Sequence, residues 1–201
     1  MTLFLFSDTV GPMGKIIGLS GYARSGKDEF FKITSRLFPE MRVLRLGFAD
    51  GLKSYLNDFL IKETGFSAFT TDEEEKKIIR PYLVSIANYY RFKTGGKFWI
   101  DNWEKERKKM SNDYDLLFVT DVRFVNELVF LKNEKKSLNI SISLLENGKQ
   151  TQPANISEAN DTSATKSLCD LSFTWDKSED EDYKTEMVSK FYESSQRIFL
   201  R

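Results

Sequence analysis

The chain has no histidine, a single cysteine and no net charge, its 30 basic and 30 acidic residues cancelling over 201 positions. Without histidine there is no Ser-His or Cys-His nucleophile pair and no His-ligated zinc. One cysteine, Cys169, excludes an intramolecular disulfide and fits a reducing compartment. It stands among Leu168, Leu171 and Phe173 and reads as a buried structural thiol rather than a nucleophile. Balanced charge removes the broad electrostatic footprint that nucleic acid or an anionic membrane surface would require, so neither is expected as a partner. The apolar patch at the N-terminus is too short to span a membrane and lacks a basic leader. Residues 1–14 are therefore expected to be an extension, and 15–201 a single domain. No internal repeat is visible.

What is present is a globular balance, with 40% hydrophobic and 30% charged residues in a length sufficient for a real core. The most informative stretch is Lys15 to Phe31. An apolar run (Ile16, Ile17, Leu19) leads into Gly21-Tyr22-Ala23-Arg24-Ser25-Gly26-Lys27-Asp28, and a helical pattern follows through Phe30, Phe31, Ile33 and Leu37. Strand, glycine-bounded loop and helix are the setting of a phosphate-binding P-loop, and G-x-x-x-x-G-K is met from Gly21 to Lys27. The glycines allow the tight turn that lets successive N–H groups converge on a polyphosphate. The helix start adds positive potential, and Lys27 adds a mobile cation. The bland alternative is a strand–helix turn with an exposed lysine. Position 28, where a hydroxyl normally ligates magnesium, is an aspartate.

Further along, Met41 to Leu46 alternates as a strand, Gly47 to Gly51 reads as a turn, and Leu52, Tyr55, Leu56, Phe59 and Leu60 recur at helical spacing. Residues 71–79 read as a helix start capped by Thr71 or Asp72, with Glu73 to Glu75 as a solvated face. From Arg80 to Trp103 basic and aromatic residues interleave, which fits base stacking with phosphate capture or a packed aromatic face equally well. Asp115 to Thr120 is a continuous apolar run, the pattern of a buried parallel strand, and it ends in Asp121. An acidic residue there lies where α/β sheets bind ligands; otherwise Asp121 caps a helix and Arg123 pairs with Glu127. Ile140 to Leu144 and Leu171 to Trp175 are further strands. Glu146 to Ala164 is polar and reads as a loop. Tyr183, Met187, Phe191 and Ile198 mark a closing helix. This order argues for an α/β fold with a mainly parallel sheet and helices on both faces.

Several of these segments together resemble the phage-type deoxynucleoside monophosphate kinases, a branch of the P-loop kinases. The family's G-K-D loop is matched by Gly21 to Asp28, and its F-A-D-P-L-K block by Phe48-Ala49-Asp50-Gly51-Leu52-Lys53. A middle block is matched by Arg80, Leu83, Arg91, Phe98 and Trp99. The block D-V-R-F-x-N-E is intact as Asp121 to Glu127, and a late S-E pair stands as Ser157-Glu158 after Asn155-Ile156. The matches span roughly residues 15–176. Animal-type phosphomevalonate kinases share the G-K-D loop and a D-x-R, without the full D-V-R-F-x-N-E block.

The resemblance implies a P-loop kinase three-layer sandwich with a helical NMP-binding/lid region. It implies transfer of the ATP γ-phosphate to a (deoxy)nucleoside monophosphate, with ATP and Mg²⁺ as cofactors, in a cytoplasm (the host's if the chain is viral). By the same resemblance Gly21, Arg24, Ser25, Gly26, Lys27 and Asp28 would bind the cofactor, and Asp28 with Asp121 the metal. Lys27, Asp121, Arg123, Arg80 and Arg91 would act in catalysis. Asp50, Lys53, Arg80, Arg91, Arg123 and Glu127 would hold the acceptor. Phe98 or Trp99 would stack on a base or sit in the core. The expected partners are small nucleotides, with homodimer formation left open.

Two departures stand out. The family's threonine after G-K-D is Glu29, which removes a hydroxyl and adds a negative charge. If Glu29 points away from the nucleotide, Asp28 and Asp121 would hold the metal through waters. The asparagine the family has after its last strand is replaced by Trp175-Asp176. The competing expectations are a nucleotide-binding protein with weakened or lost catalysis, and a kinase of another small phosphate ester.

Overall fold

The structure, a computed structural model, describes residues 14–110, 114–153 and 156–199, with the side chains of 156–158, 197 and 199 left aside. The extension expected over 1–14 thus falls outside the described residues as far as position 13. So do Asn155 and the Ser157 and Glu158 side chains. In chain order the elements are β1 (Lys15–Ser20), α1 (Lys27–Leu37), β2 (Val43–Arg45), α2 (Phe48–Thr64), α3 (Glu73–Thr94), α4 (Lys97–Lys109), β3 (Leu116–Val122), α5 (Val125–Lys135), β4 (Leu138–Glu146), β5 (Lys149–Gln150), α6 (Ile156–Leu168), β6 (Leu171–Asp176) and α7 (Glu181–Phe199). They form two compact units, one of Met1–Arg45 with Ser111–Arg201, the other of Leu46–Met110.

The first unit is an α/β sandwich. Its parallel strands lie in the order β2-β3-β1-β4-β6, and the short β5 runs antiparallel beside the far end of β4. Alternation along the strands separates two faces. Ile17, Leu19, Leu116, Phe118, Ile140, Ile142 and Phe173 pack against Phe30 and Ile33 of α1 and Val188, Phe191 and Tyr192 of α7. The other face carries α5 and α6, where the Ser20 and Thr165 hydroxyls share a 2.7 Å hydrogen bond.

The second unit is helical. Leu52, Leu56 and Leu60 of α2 meet Ile79 of α3 and Trp99 of α4 in its core. Asp72 caps α3 by accepting from the Glu74 and Glu75 amides at 2.9 and 3.0 Å, as the sequence pattern suggests. Pro81 lies inside α3 and removes one ladder bond without ending the helix.

Two segments differ from the sequence expectation. The turn expected at 47–51 is instead the first turn of α2: Gly47 stands at the N-cap and its amide donates to Asp50 Oδ2 at 2.7 Å, a local cap that lets Gly51 continue as helix. The loop expected over 146–164 holds β5 and most of α6. The buried positions of α6 include Thr162 and Thr165, so its inward face is polar and leaves no apolar periodicity to read.

Phe30 is fully buried, with its ring 5.1 Å from that of Phe173 and 5.7 Å from that of Phe191. Phe30→Ala should cost about 3–5 kcal/mol in urea unfolding, because the surrounding strands cannot collapse into the void. A loss under about 1 kcal/mol would mean that α1 does not seat on the sheet in this way.

Candidate phosphate-binding site

The loop between β1 and α1 is shaped by three residues in the left-handed region: Gly21 (φ 147°), Arg24 (φ 61°) and Gly26 (φ 87°). Gly21 passes so close to β4 that a Cβ there would lie 2.2 Å from the Ile142 carbonyl oxygen. Gly26 is the N-cap of α1, and a Cβ there would lie 2.2 Å from Cζ2 of Trp175. The Trp175 indole N–H donates to the Ser25 carbonyl at 3.0 Å. β6 therefore pins the loop from one side while the Ser25 amide closes a turn onto the Tyr22 carbonyl at 3.2 Å.

Lys27 opens the helix and folds back over the loop. Its ammonium donates to the carbonyls of Gly21 at 2.9 Å and Tyr22 at 2.6 Å, and to Ser25 Oγ at 3.3 Å. Gly26 at the N-cap has no side chain with which to cap α1. Its first amides have no helical acceptor, and with the dipole they make an anion site beside a lysine cation. The arrangement can hold a phosphate chain.

The carboxyl end of β3 adds the next groups. Gly18 pairs with Val119 and Ser20 with Val122, so β3 carries an extra residue opposite Leu19. Such a bulge suspends strict alternation. Thr120 and Asp121 both stand opposite Leu19 in the register. The Thr120 hydroxyl donates to Asp28 Oδ1 at 2.8 Å. Arg45, the last residue of β2, donates from Nε to Thr120 Oγ1 at 2.8 Å and to Asp28 Oδ1 at 3.3 Å.

Glu29 turns the other way. Its carboxylate lies 3.7 Å from Arg36, two turns down α1, and Arg36 also pairs with Glu181 at 3.0 Å. The added negative charge is thus engaged along the helix rather than over the loop.

Arg123 is exposed, and its amide donates to Glu127 Oε2 at 3.0 Å, as does that of Phe124 at 3.1 Å. Glu127 is buried, 3% exposed, as the cap partner of α5, so it fixes the backbone that carries Arg123. The side-chain pairing of Arg123 with Glu127 is not what forms. Asp50, Lys53, Arg80 and Arg91 belong to the helical unit. There Asp50 caps α2, the Lys53 ammonium lies 5.8 Å from the centre of the Phe69 ring, and Arg80 is exposed on α3. Trp99 is core, its indole donating to the Ala87 carbonyl at 3.1 Å, and Phe98 stacks on Tyr90 with centroids 4.0 Å apart. Both aromatics are occupied within the unit. Cys169 carries its pKa pushed up to about 12 by burial first and the neighbouring Asp170 second, so it holds its proton at neutral pH.

Arg45, Thr120 and the indole of Trp175 are site residues that sequence reasoning missed. Arg45 and Thr120 each had one available signal, their position at the carboxyl end of a parallel strand.

Among the described residues no group of three or more His, Cys, Asp or Glu side chains could hold a metal on its own. Mg²⁺ commonly takes only one or two carboxylates with waters and substrate phosphates, a donor set that aspartates such as Asp28 and Asp121 could supply. Among the described residues no helix is long and apolar enough to cross a membrane.

Shikimate kinase from Bacteroides thetaiotaomicron is similar in structure with a TM-score of 0.52 and 14% identity, over 90% of this chain and 97% of that one. APS kinase from Mycobacterium tuberculosis (TM-score 0.38, 14% identity, 91% and 99% covered) and dephospho-CoA kinase from Campylobacter jejuni (0.42, 10%, 92% and 98%) align more loosely. The first likeness shows a shared fold. No protein-family model and no curated protein sequence matches the chain.

Two glycine substitutions separate crowding from backbone strain. Gly65 has φ 80° in open space, whereas Gly26 has a similar φ against the Trp175 ring. Gly65→Ala should cost about 1–2 kcal/mol from the left-handed backbone alone. Gly26→Ala should cost clearly more in thermal unfolding, and equal losses would mean that Trp175 does not press on the loop.

Proposed function

We propose that the chain is an ATP-dependent phosphotransferase acting on a (deoxy)nucleoside monophosphate. The observation that carries this is the loop itself: Lys27 folded onto the Gly21 and Tyr22 carbonyls beneath a helix start whose N-cap is a glycine. The intact Asp121 to Glu127 block and the resemblance to phage-type deoxynucleoside monophosphate kinases support the choice of acceptor.

The chemistry asks little of the side chains beyond alignment. A phosphate monoester has its second pKa near ~6 and is largely dianionic at neutral pH, so it attacks without a strong base. A kinase lacking histidine is consistent with that. The amides of residues 22–27, with Arg24, Ser25 and Lys27, would bind the donor phosphates. Lys27 would neutralise charge that spreads over the transferred group. Asp28 and Asp121 would hold Mg²⁺, which would supply further neutralisation of the phosphate charge. Arg123, Arg80 and Arg91 would take acceptor or transferring phosphate, since the guanidinium fork matches its geometry. Asp50 and Lys53 would bind the acceptor, and Glu127 would serve by fixing Arg123. Nucleotide metabolism in a cytoplasm is the setting that follows.

A Glu29 carboxylate over the loop would favour a nucleotide-binding protein without catalysis. Its pairing with Arg36 supports activity instead.

The test is a coupled assay of ADP release from Mg-ATP against a panel of dNMPs and NMPs, with mevalonate 5-phosphate included. Turnover on one or more nucleotides is expected, and Lys27→Ala should lower it by about 10²–10³-fold with the fold retained. Turnover on mevalonate 5-phosphate alone would move the acceptor to another ester. Silence across the panel with ADP still bound would leave a nucleotide-binding protein.

A further inference from the structure

We propose that Arg45 is a positioning residue that lets an aspartate stand at the metal position of the loop, and thereby sets how strongly nucleotide and Mg²⁺ binding depend on each other. The inference rests on the phosphate-binding reading above. A hydroxyl at position 28 would be neutral, whereas Asp28 places a negative charge beside bound phosphates. Something must offset that charge when no cation is there.

The three-residue contact at the strand ends does so. Arg45 Nε lies 3.3 Å from Asp28 Oδ1 and 2.8 Å from Thr120 Oγ1, and the Thr120 hydroxyl in turn donates to the same Oδ1 at 2.8 Å. Thr120 is 2% exposed, so its hydroxyl is fixed, accepting from Arg45 and donating to Asp28. The Asp28 side chain is 70% exposed and that of Arg45 31%, so the pair is anchored at its inner end and wet at its outer end. With Oδ1 held, Oδ2 makes no hydrogen bond or ion pair with another described residue, on a side chain that is mostly exposed. The carboxylate is pre-aimed for a hydrated cation and already half compensated by Arg45.

Two consequences follow from charge alone. Metal-free nucleotide is tolerated because Arg45 screens Asp28. The free site holds Mg²⁺ weakly, because Arg45 competes for the same carboxylate until phosphate arrives. Removing Arg45 while leaving Asp28 should weaken metal-free ADP binding far more than Mg-ADP binding. Removing both charges should restore the metal-free affinity.

Calorimetric titration of ADP, with and without Mg²⁺, into wild type, Arg45→Met, Asp28→Asn and the double variant reads this directly. In Arg45→Met the ratio of the two ADP affinities should rise by about tenfold over wild type, within the usual range of site coupling. In Asp28→Asn the ratio should fall, and the double variant should bind metal-free ADP about as wild type does. Equal weakening of both affinities in Arg45→Met, unrescued by Asp28→Asn, would make Arg45 a direct phosphate ligand and overturn the proposal. Unchanged affinities would overturn it as well. Should Arg45→Met fail to melt cooperatively, Thr120→Val removes the bridging hydroxyl at constant shape and should raise the ratio in the same direction; an unchanged ratio would count against the proposal. A wild-type protein that binds no ADP in either condition would instead remove the phosphate-binding reading, and the proposal with it.

Discussion

Everything at the candidate site depends on a loop that must be held open in an unfavourable backbone conformation. Arg24 carries a Cβ at positive φ, which costs free energy that the surroundings have to offset, while Gly21 and Gly26 reach positive φ because they carry none. Trp175 supplies part of the offset by donating to the Ser25 carbonyl while its ring leaves no room for a side chain on Gly26. Lys27 supplies more by binding the carbonyls of Gly21 and Tyr22. An arriving phosphate chain would compete for that ammonium while offering acceptors to the loop amides, so the loop needs little rearrangement to exchange one set of partners for another.

Charge is arranged around this loop with the same economy. Two carboxylates follow Lys27 directly, and they lean on different cations: Asp28 on Arg45, and Glu29 on Arg36, which it shares with Glu181. The first pair lies at the strand ends and keeps its carboxylate near the loop. The second runs down the helix and keeps its carboxylate off it. Two adjacent acidic residues thereby acquire different chemistry from the direction in which each side chain leaves α1.

Much of the fold was legible because its strands are short, apolar and bounded by turn residues, and because the first loop carries a spacing with a physical meaning. Lys27 and Gly26 sit where the pattern places them, and Asp72 caps α3 as its composition suggests. The failures have separate causes. α6 hid behind a polar interior, since Thr165 meets Ser20 through hydroxyls rather than through apolar contact. The start of α2 hid behind two glycines, because the cap between Gly47 and Asp50 is a matter of geometry more than of residue type. Arg45 and Thr120 come together with Asp28 across 17 and 92 positions of chain, a proximity that no local pattern contains. The role of Glu127 as a backbone cap was likewise invisible, since a buried glutamate and a substrate-binding one look alike in sequence.

The account turns on the amides of residues 22–27 receiving a phosphate chain. The most direct measurement is an amide-resolved NMR titration of the ¹⁵N-labelled protein with a non-hydrolysable ATP analogue and Mg²⁺. The amides of Tyr22 to Lys27 should shift strongly and saturably, as donors do when they take up phosphate oxygens. Saturable shifts confined to other segments, or no shifts at all, would contradict it.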